Sequence, residues 1–595
     1  MFYKNAQLRY ETVFPQRVVS TKFVRSANAV VNGEGTTVFL CPLGEAELLL
    51  DFEKEVVGGL TMKVRCEGAA HITVIYDEWP ESAMRREPYE STWYTGLRDD
   101  FDLSEGEHTL VSEGRRGFRY AGIFASGSCT ELLSVEASNG SWPHEQRGFF
   151  RCSDEKLNRI WDISVATLRA CMQSFYEDGV KRDGLLWIGD TRWMFNSGYY
   201  ALGDHELARR SLLMIRDSQL ENGAIPACAF AGGGHQHGVD GGISYMGDVL
   251  DMLNRWVIIN YVSEYICAIE DYVHLTGDLT ILSEILDSAR HAMEFLTTAS
   301  DLERPGYWKY EEHISKPDEY GITYFQEFEC GMNPTNNYGS KGGVLLGMYG
   351  AARALQRLAQ RGGRQEMEQW ADQTAQHLDE HLEKYYRDPI SGQYLDTIGQ
   401  PRSEILQYAA IQAYLAGKDD PSGMTRMLRS IMPNWGYMMT CKMVVLMKQG
   451  YVHEALEEIR QGWGKFLDHD SLTCWERLDA PDFYATHYYN PIPSACHGWT
   501  AGPASLLPEW ITGVHVDGDG FTSIRVEPEL DTLTWAESSI CTPVGTLFVR
   551  VERQGPELSM YLDLPEGIEK CVVKLGREGN FTVTTPGFHV LTAKR

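Results

Sequence analysis

The sequence predicts a multidomain α and β protein, with a β-sandwich at the N-terminus, a large helical domain in the middle and a smaller β-sandwich at the C-terminus. Two changes of hydrophobic pattern support this prediction. Strand-like segments give way to helical ones near residue 149, and strand-like segments return near residue 515. The 595 residues are enough for several domains of the usual size. We therefore expect three domains, at residues 1–148, 149–514 and 515–595.

The first segment is rich in β-branched and aromatic residues, with Gly-containing turns between the runs. HITVIY (71–76) and GFRYAGIF (117–124) have the composition of strands. AELLLDFEKEVVGGLTMKV (46–64) is apolar, which predicts strands on either side of a break at Gly58–Gly59. Short strands at this spacing are typical of a sandwich.

The central segment carries apolar residues at helical spacing. In CSDEKLNRIWDISVATLRAC (152–171), Leu157, Ile160 and Trp161 follow that spacing. Ser153 is the expected N-cap of this helix. Stripes around residues 345–355 and 452–459 indicate two more helices, and further helices are expected near residues 191–203, 205–217, 246–275, 280–298, 366–384, 403–416 and 499–512. About a dozen helices paired as hairpins can close into a barrel whose loops meet in one cleft.

The C-terminal segment returns to a strand pattern. In ELSMYLDL (557–564) apolar residues alternate with mostly polar ones, and GTLFVRVERQG (545–555) and KCVVKLG (570–576) have the composition of further strands. A second β-sandwich is therefore expected.

Composition and charge exclude several classes of partner. The formal charge of −29 repels phosphate backbones and anionic lipid, so we expect neither nucleic acid nor a membrane as a partner. No apolar run approaches the roughly 18 residues that span a bilayer. The N-terminus has no apolar stretch of the secretory type, which predicts a cytoplasmic protein. The 13 cysteines are dispersed, without a CxxC pair, and indicate reduced thiols.

One loop combines acids, bases and large aromatic residues. DGVKRDGLLWIGDTRW (178–193) holds three aspartates, and a solvated loop would rarely carry its two tryptophans as well. Part of this pattern has a structural alternative, because Asp190 is well placed to cap the helix that begins TRWMFN.

Two later loops are also candidates for chemistry. In TCWERLDAPDF (473–483), Glu476 follows Trp475, and an indole neighbour tends to raise the pKa of a carboxyl group. The alternative is an ion pair with a neighbouring cation on a surface turn. NPIPSACHGWTAGP (490–503) carries His497 just before the start of a helix. His235 and His237 lack a third ligand at a diagnostic spacing, so no metal site is predicted.

Two carboxylates that lie far apart in the chain and beside aromatic residues suit hydrolysis of a glycosidic bond. One acid protonates the leaving oxygen, and the other activates water or attacks the anomeric carbon. No Ser-His-Asp order and no context for a catalytic cysteine competes with this interpretation.

Three motifs resemble a known family. DGVKRDGLLWIGD (178–190) resembles the signature of glycoside hydrolase family 78, the α-L-rhamnosidases, in which an Asp, an Arg, the general acid, a Trp and an Asp follow in that order. TCWERLD (473–479) is similar to the family's later Trp-Glu segment, and SACHGWTAG (494–502) to its downstream His-containing loop. The resemblance covers nearly the whole chain and implies an (α/α)6 barrel between the two β-sandwiches.

The resemblance implies Asp183 as the general acid and Glu476 as the general base. The residues that we assign to substrate binding are Asp178, Arg182, Trp187, Asp190, Tyr261, Trp475 and His497. The family's usual acid is Glu, whereas this chain has Asp183, which is shorter by one methylene group.

The leading hypothesis is an inverting glycoside hydrolase that releases terminal, non-reducing α-L-rhamnose without a cofactor. Inversion places the two carboxyl groups about 6.5–9.5 Å apart. Two alternatives remain: a related (α/α)6-barrel glycosidase with a different sugar specificity, and a catalytically inactive homologue that binds carbohydrate. The expected partner is a carbohydrate or glycoside substrate, and the sequence leaves the oligomeric state open, a homo-oligomer included.

Overall fold

The structure is a computed structural model that describes the chain between residues 4 and 594, with internal gaps. The described residues are 4–33, 35–85, 97–144, 147–181, 184–229, 255–300, 302, 322–325, 340–398, 408–430, 432–480 and 493–594. Within these ranges no helix is both long and apolar enough to cross a membrane. The twelve described cysteines are free thiols, as predicted. His235 and His237 lie outside the described residues.

In the described N-terminal part of the chain, ten strands form one sheet, and two short helices lie between them. The strands are β1 (Arg9–Val13), β2 (Arg17–Lys22), β3 (Val24–Arg25), β4 (Thr37–Phe39), β5 (Ala46–Cys66), β6 (Ala70–Asp77), β7 (Arg98–Leu103), β8 (Gly106–Val111), β9 (Arg116–Gly127) and β10 (Thr130–Ser141), and the helices are α1 (Ala29–Asn32) and α2 (Pro80–Ala83). The long strand β5 is central and pairs with β2, β8, β9 and β10. Most of its apolar side chains belong to a core of this sheet, whereas Val57 belongs to the core of the helices.

Strand β5 passes without a break through Gly58 and Gly59, so the predicted interruption there is wrong. The irregularity lies earlier, where the register with β9 shifts after Asp51 and Glu53 has a φ of 48°. Gly58 instead allows close approach of two strands, because a Cβ atom at this position would lie 1.8 Å from the carbonyl oxygen of Ser138.

Helices occupy most of the middle of the chain. They are α3 (Glu155–Cys171), α4 (Ile188–Leu202), α5 (Glu206–Asp217), α6 (Ile259–Thr276), α7 (Leu282–Ala299), α8 (Lys341–Arg361), α9 (Gln365–His381), α10 (Tyr408–Leu415), α11 (Pro421–Arg429), α12 (Gly436–Lys448), α13 (Val452–Asp468) and α14 (Pro503–Ile511). Helix α8 packs against α6, α7, α9 and α10. Where the predicted helical segments fall on described residues, helices are present with boundaries shifted by a few residues, apart from one error. Residues Trp256–Ile258 of the predicted helix 246–275 form a strand instead, because they pair with Thr323–Phe325.

The N-cap of α3 is Asp154 and not Ser153, so that prediction is wrong by one residue. The Asp154 carboxylate accepts hydrogen bonds from the backbone N–H groups of Lys156 (2.9 Å) and Leu157 (3.4 Å). A carboxylate is the stronger acceptor and interacts favourably with the helix dipole. The Ser153 hydroxyl instead accepts a hydrogen bond from the Thr534 N–H (3.0 Å), which joins the start of α3 to the C-terminal part of the chain.

The C-terminal part of the chain forms two sheets, of which one is antiparallel and the other contains one parallel pair of strands. A five-stranded sheet has the order β11-β18-β19-β20-β23, and a four-stranded sheet has the order β16-β17-β21-β22. Their strands are β11 (Phe149–Cys152), β16 (Val514–Val516), β17 (Ser523–Val526), β18 (Trp535–Thr542), β19 (Gly545–Gln554), β20 (Glu557–Leu564), β21 (Lys570–Leu575), β22 (Gly579–Val583) and β23 (Gly587–Lys594). The three predicted strands are confirmed as β19, β20 and β21. Strand β11 precedes α3 but pairs with β18, and the core of these sheets is continuous with that of the helices.

Among the helices, the described ranges contain two short strand pairs. Strand β12 (Leu186–Trp187) pairs with β13 (Cys228–Ala229), and β14 (Trp256–Ile258) pairs with β15 (Thr323–Phe325). Strand β12 leads directly into α4, so it positions the residues that follow the first candidate loop.

Candidate active site

The two ends of the loop that begins at Asp178 are joined by hydrogen bonds between Asp178 and Leu185. The Asp178 N–H donates to the Leu185 carbonyl (3.1 Å), and the Asp178 Oδ1 atom accepts from the Leu185 N–H (3.0 Å). Asp178 is buried, and its carbonyl accepts from the Gly498 N–H (2.7 Å), which joins this loop to the one that carries His497. Arg182 and the expected acid Asp183 lie outside the described residues, so the separation of the two predicted catalytic carboxyl groups stays a prediction.

An aromatic pair follows this loop. The Trp187 and Tyr261 rings meet edge to face, with centroids 6.5 Å apart, and both side chains are buried. Tyr261 comes from α6, and it approaches α4 at Gly189, where a Cβ atom would lie 2.3 Å from the ring. Two assigned substrate-binding residues, from separate parts of the chain, are thus neighbours because position 189 has no side chain.

Asp190 lies within the first turn of α4 and pairs with His497 across 307 positions of sequence. Helix α4 begins at Ile188, two positions before Asp190, so the structural alternative in which Asp190 caps the helix is wrong. The Asp190 Oδ1 atom lies 3.2 Å from Nε2 of His497, and both side chains are buried. The other ring nitrogen of His497, Nδ1, is buried without a hydrogen-bond partner among the described residues.

The environment of His497 keeps its imidazole ring protonated. Burial alone would lower the pKa of His497, but the hydrogen bond to Asp190 and the charges of Glu476, Asp178 and Asp190 raise it to about 9. The imidazolium form that results donates to Asp190 at neutral pH. Since Glu476 favours the charged histidine, the charged histidine equally favours a negative charge on Glu476.

Glu476 is buried and held by the backbone of the third loop. Its Oε2 atom accepts a hydrogen bond from the Ser494 N–H (2.9 Å), and its own N–H donates to the Ser494 carbonyl (2.9 Å). The Glu476 carbonyl accepts from the N–H of Gly436 (2.9 Å) and from the indole N–H of Trp499 (3.3 Å). The carboxyl group therefore sits on a rigid backbone close to the charge of His497.

The Trp475 ring is directed to a different cluster. It packs against Trp79 and Phe466, with centroid distances of 5.0 and 4.7 Å, and its indole N–H donates to the Ser471 hydroxyl (2.9 Å). The structure thus brings Asp178, Asp190, Glu476 and His497 together and does not place the Trp475 ring with them.

Sequence reasoning missed a set of buried charges that the N-terminal sheet contributes. Asp77 is the last residue of β6 and Glu78 follows it, and their carboxylates lie 3.2 and 3.1 Å from Nζ of Lys181 in the first candidate loop. All three side chains are almost fully buried. The signal was present in DEWP (77–80), where two acids precede a tryptophan at the end of a strand, but nothing in the sequence indicated that it meets residue 181.

Glu55 of β5 adds a further acid to these charges. Its Oε1 atom is buried without a hydrogen-bond partner among the described residues. Burial, followed by the charge of Glu78, raises the pKa of Glu55 well above its usual range. Glu55 is therefore protonated in the folded protein at pH values at which it ionises in the unfolded chain.

We expect Glu55→Gln to remove a pH dependence of stability. Because the folded protein binds the Glu55 proton more tightly than the unfolded chain does, the stabilisation is complete below the usual glutamate pKa of about 4.3 and is lost as pH rises through the folded-state pKa. We expect the melting temperature of the variant, measured relative to that of the wild type, to increase as the pH rises from 5 to 9. Glu81→Gln, at an exposed acid nearby, is the control and should leave the wild-type curve unchanged. Parallel curves for wild type and Glu55→Gln would contradict the expectation.

Two family models match this chain. The bacterial alpha-L-rhamnosidase six-hairpin glycosidase domain matches residues 145–313, and the bacterial alpha-L-rhamnosidase C-terminal domain matches residues 513–586. A search of curated proteins finds no match.

Solved structures are similar over most of the chain. A rhamnosidase of glycoside hydrolase family 78 from Bacillus sp. GL1 is 25% identical with a TM-score of 0.73, and the match covers 90% of this chain and 53% of that one. The α-L-rhamnosidase from Dictyoglumus thermophilum is 17% identical with a TM-score of 0.73, covering 100% and 65%. A rhamnosidase from Klebsiella oxytoca with rhamnose bound is 19% identical with a TM-score of 0.64, covering 84% and 95%. This chain therefore spans less than two thirds of the first two proteins and nearly all of the third.

Proposed function

Since this chain belongs to the α-L-rhamnosidases of glycoside hydrolase family 78, we propose that it is an inverting glycoside hydrolase that releases terminal, non-reducing α-L-rhamnose. The observation that carries this proposal is the buried group of Asp178, Asp190, Glu476 and His497, which three loops and the start of α4 contribute. A carboxylate held beside a charged histidine and other hydroxyl-binding acids suits a site for one sugar ring. The rhamnose bound to the Klebsiella oxytoca protein, a relative of the same fold, agrees with this substrate class.

In the proposed mechanism, Asp183 protonates the glycosidic oxygen as the bond to the anomeric carbon breaks. Glu476 removes a proton from a water molecule on the opposite face of the ring, and that water attacks the same carbon. The Ser494 N–H on Glu476 Oε2 fixes the orientation of the base, and the positive charge of His497 favours a negative charge on it. Water is consumed, and one hemiacetal with inverted configuration and one alcohol are formed.

The remaining assigned residues bind the sugar in this proposal. Asp178, Arg182 and Asp190 hydrogen-bond the ring hydroxyl groups, and the Nδ1 atom of His497 is available to a further one. Trp187 and Tyr261 form an apolar wall for the C6 methyl side of the ring. Trp475 is the exception among the assigned residues: its ring packs against Trp79 and Phe466 and so anchors the chain next to Glu476.

We also propose the architecture that this mechanism needs. The helices of residues 149–514 close into an (α/α)6 barrel, with a β-sandwich of residues 1–148 before it and another of residues 515–595 after it. The loops that carry Asp178, Glu476 and His497 then open at one end of the barrel, next to β6 of the N-terminal sheet, which the ion pairs to Lys181 support.

The function is tested with the purified chain and a panel of 4-nitrophenyl glycosides. We expect release of nitrophenol from the α-L-rhamnoside, and proton NMR should show β-L-rhamnose as the first anomer formed. Cleavage of another sugar alone would replace rhamnose in the proposal, and α-L-rhamnose as the first anomer would refute inversion. Rhamnose binding by calorimetry without hydrolysis of any glycoside would indicate an inactive homologue.

A further inference from the structure

The Glu78 carboxylate lies where the loop that begins at Asp178 and the loop that carries Ser494 and His497 meet the N-terminal sheet. Its Oε2 atom accepts a hydrogen bond from the Ala495 N–H (2.7 Å) and lies 3.1 Å from Nζ of Lys181. Its Oε1 atom accepts a hydrogen bond from the Ser494 hydroxyl (2.9 Å). One buried carboxylate thus contacts two loops that are far apart in the sequence and that also meet directly where the Gly498 N–H donates to the Asp178 carbonyl.

The same contacts lead from Glu78 to the proposed base. Ser494 connects the two acids. Its hydroxyl donates to Glu78, and its N–H donates to Oε2 of Glu476 (2.9 Å). On the other side, Lys181 lies in the loop that begins at Asp178 and also pairs with Asp77 (3.2 Å). A displaced Glu78 would therefore move the donor to Glu476 and release the charge that anchors the first loop.

The N-terminal sheet also packs directly on the first loop. At Gly117 of β9 a Cβ atom would lie 2.5 Å from the Val180 carbonyl oxygen, so any side chain there would push the loop away. The backbone of the sheet thus lies directly against the backbone of the loop, next to the ion pairs of Lys181. This close packing leaves the Glu78 side chain little room to move.

We propose that Glu78 is a positioning residue for the reaction, through which the N-terminal sheet sets the orientation of Glu476 and anchors the loop that begins at Asp178. This inference rests on the proposed function for its effect on turnover. Glu78 acts through Ser494, Ala495 and Lys181 and does not itself bind the sugar. The N-terminal sheet is then a required part of the active site.

The test compares Glu78→Gln with Asp99→Asn. Glutamine keeps the size of the Glu78 side chain and removes its charge. Asp99 is a matched control, because it is a buried acid of the same sheet. Its carboxylate accepts from Arg116 (2.7 Å), Tyr76 (2.8 Å) and the Glu113 N–H (3.3 Å), and none of these partners lies in the two loops. Hydrogen exchange of the Ser494 and Ala495 amides, kcat and KM, and the pH profile of kcat are measured for each variant.

We expect Glu78→Gln to speed exchange of the two amides by about tenfold or more, and to lower kcat by about 10- to 100-fold with a smaller change in KM. The acid limb of the pH profile should move to higher pH, because a carboxylate that loses a backbone donor binds its proton more tightly. Asp99→Asn should keep wild-type exchange and kcat, even if its melting temperature falls.

Wild-type exchange and kcat in folded Glu78→Gln would overturn the proposal, as would an equal loss of kcat in Asp99→Asn. If Glu78→Gln does not fold, Ser494→Ala removes the hydroxyl that donates to Glu78 and also contacts the Cys496 backbone, and it should change exchange and kcat in the same direction. Unchanged values would refute the proposal. If the wild type cleaves no rhamnoside, the proposed function fails, and the exchange measurement still decides whether Glu78 holds the loop.

Discussion

Replacing Glu476 with Gln should lower kcat on an α-L-rhamnoside by about 10²- to 10⁴-fold, because the amide cannot take a proton from the attacking water. The Ser494 N–H can still donate to the amide oxygen, so we expect the variant to fold and to bind rhamnose. Activity with 4-nitrophenyl α-L-rhamnoside, rhamnose affinity by calorimetry and the melting temperature are the three measurements. A folded variant with wild-type kcat would remove Glu476 from the mechanism.

Asp479→Asn is the matched control for this experiment. Asp479 lies in the same loop as Glu476, but its carboxylate is paired with Arg477 at 2.7 and 2.8 Å. We expect its kcat to stay within a few-fold of the wild-type value.

Asp183→Asn distinguishes the proposed general acid from the proposed general base. Its loss of kcat should be smaller with a nitrophenyl leaving group, which needs little protonation, whereas the loss of kcat in Glu476→Gln should not depend on the leaving group.

Replacing Lys181 with Met should destabilise the protein by about 3–5 kcal/mol, because it leaves buried carboxylates without their cation. Lys181 Nζ lies 3.2 Å from Asp77 and 3.1 Å from Glu78, and the Lys181 side chain is only 1% exposed. The decrease in the free energy of unfolding is measured by urea denaturation, monitored by circular dichroism. The loss should be smaller at pH 5 than at pH 8, because protonation neutralises the uncompensated acids.

Lys442→Met provides a comparison at a second buried lysine. Lys442 pairs with the single acid Glu458 at 2.8 Å, and the Glu458 side chain is 19% exposed, so one partly exposed acid loses its cation instead of two buried ones. We expect a smaller destabilisation there and an unchanged kcat. Equal urea midpoints for wild type and Lys181→Met would show that the ion pairs at Asp77 and Glu78 contribute nothing net to stability.

Local pattern was sufficient for most elements of the fold. The apolar stripe of 152–171 predicted α3, and the alternation in 557–564 predicted β20, because burying one face of a helix or strand requires that spacing. The errors are also local. Ser153 and Asp154 are both good capping residues, and the contact of Ser153 with Thr534, far away in sequence, decided between them.

The candidate site was predicted in part from composition. Acids beside tryptophans singled out the loops of Asp178 and Glu476, and His497 stood in a third loop. Their pairing could not be predicted, since a contact such as that between Asp190 and His497 spans 307 positions and leaves no periodic signal. Asp190 had a plausible local role as a cap, and only the start of α4 at Ile188 excluded it.

The sequence by itself determined the order of strand and helix segments, the absence of a long apolar span and the residue types available for acid and base chemistry, because these depend on side chains and their local spacing. Only the tertiary structure decided that Glu78 and Lys181 meet, that the Trp475 ring turns toward Trp79, and that His497 keeps its proton. The physical reason is that ion pairing and pKa depend on distance and burial, which arise when segments far apart in the chain pack together.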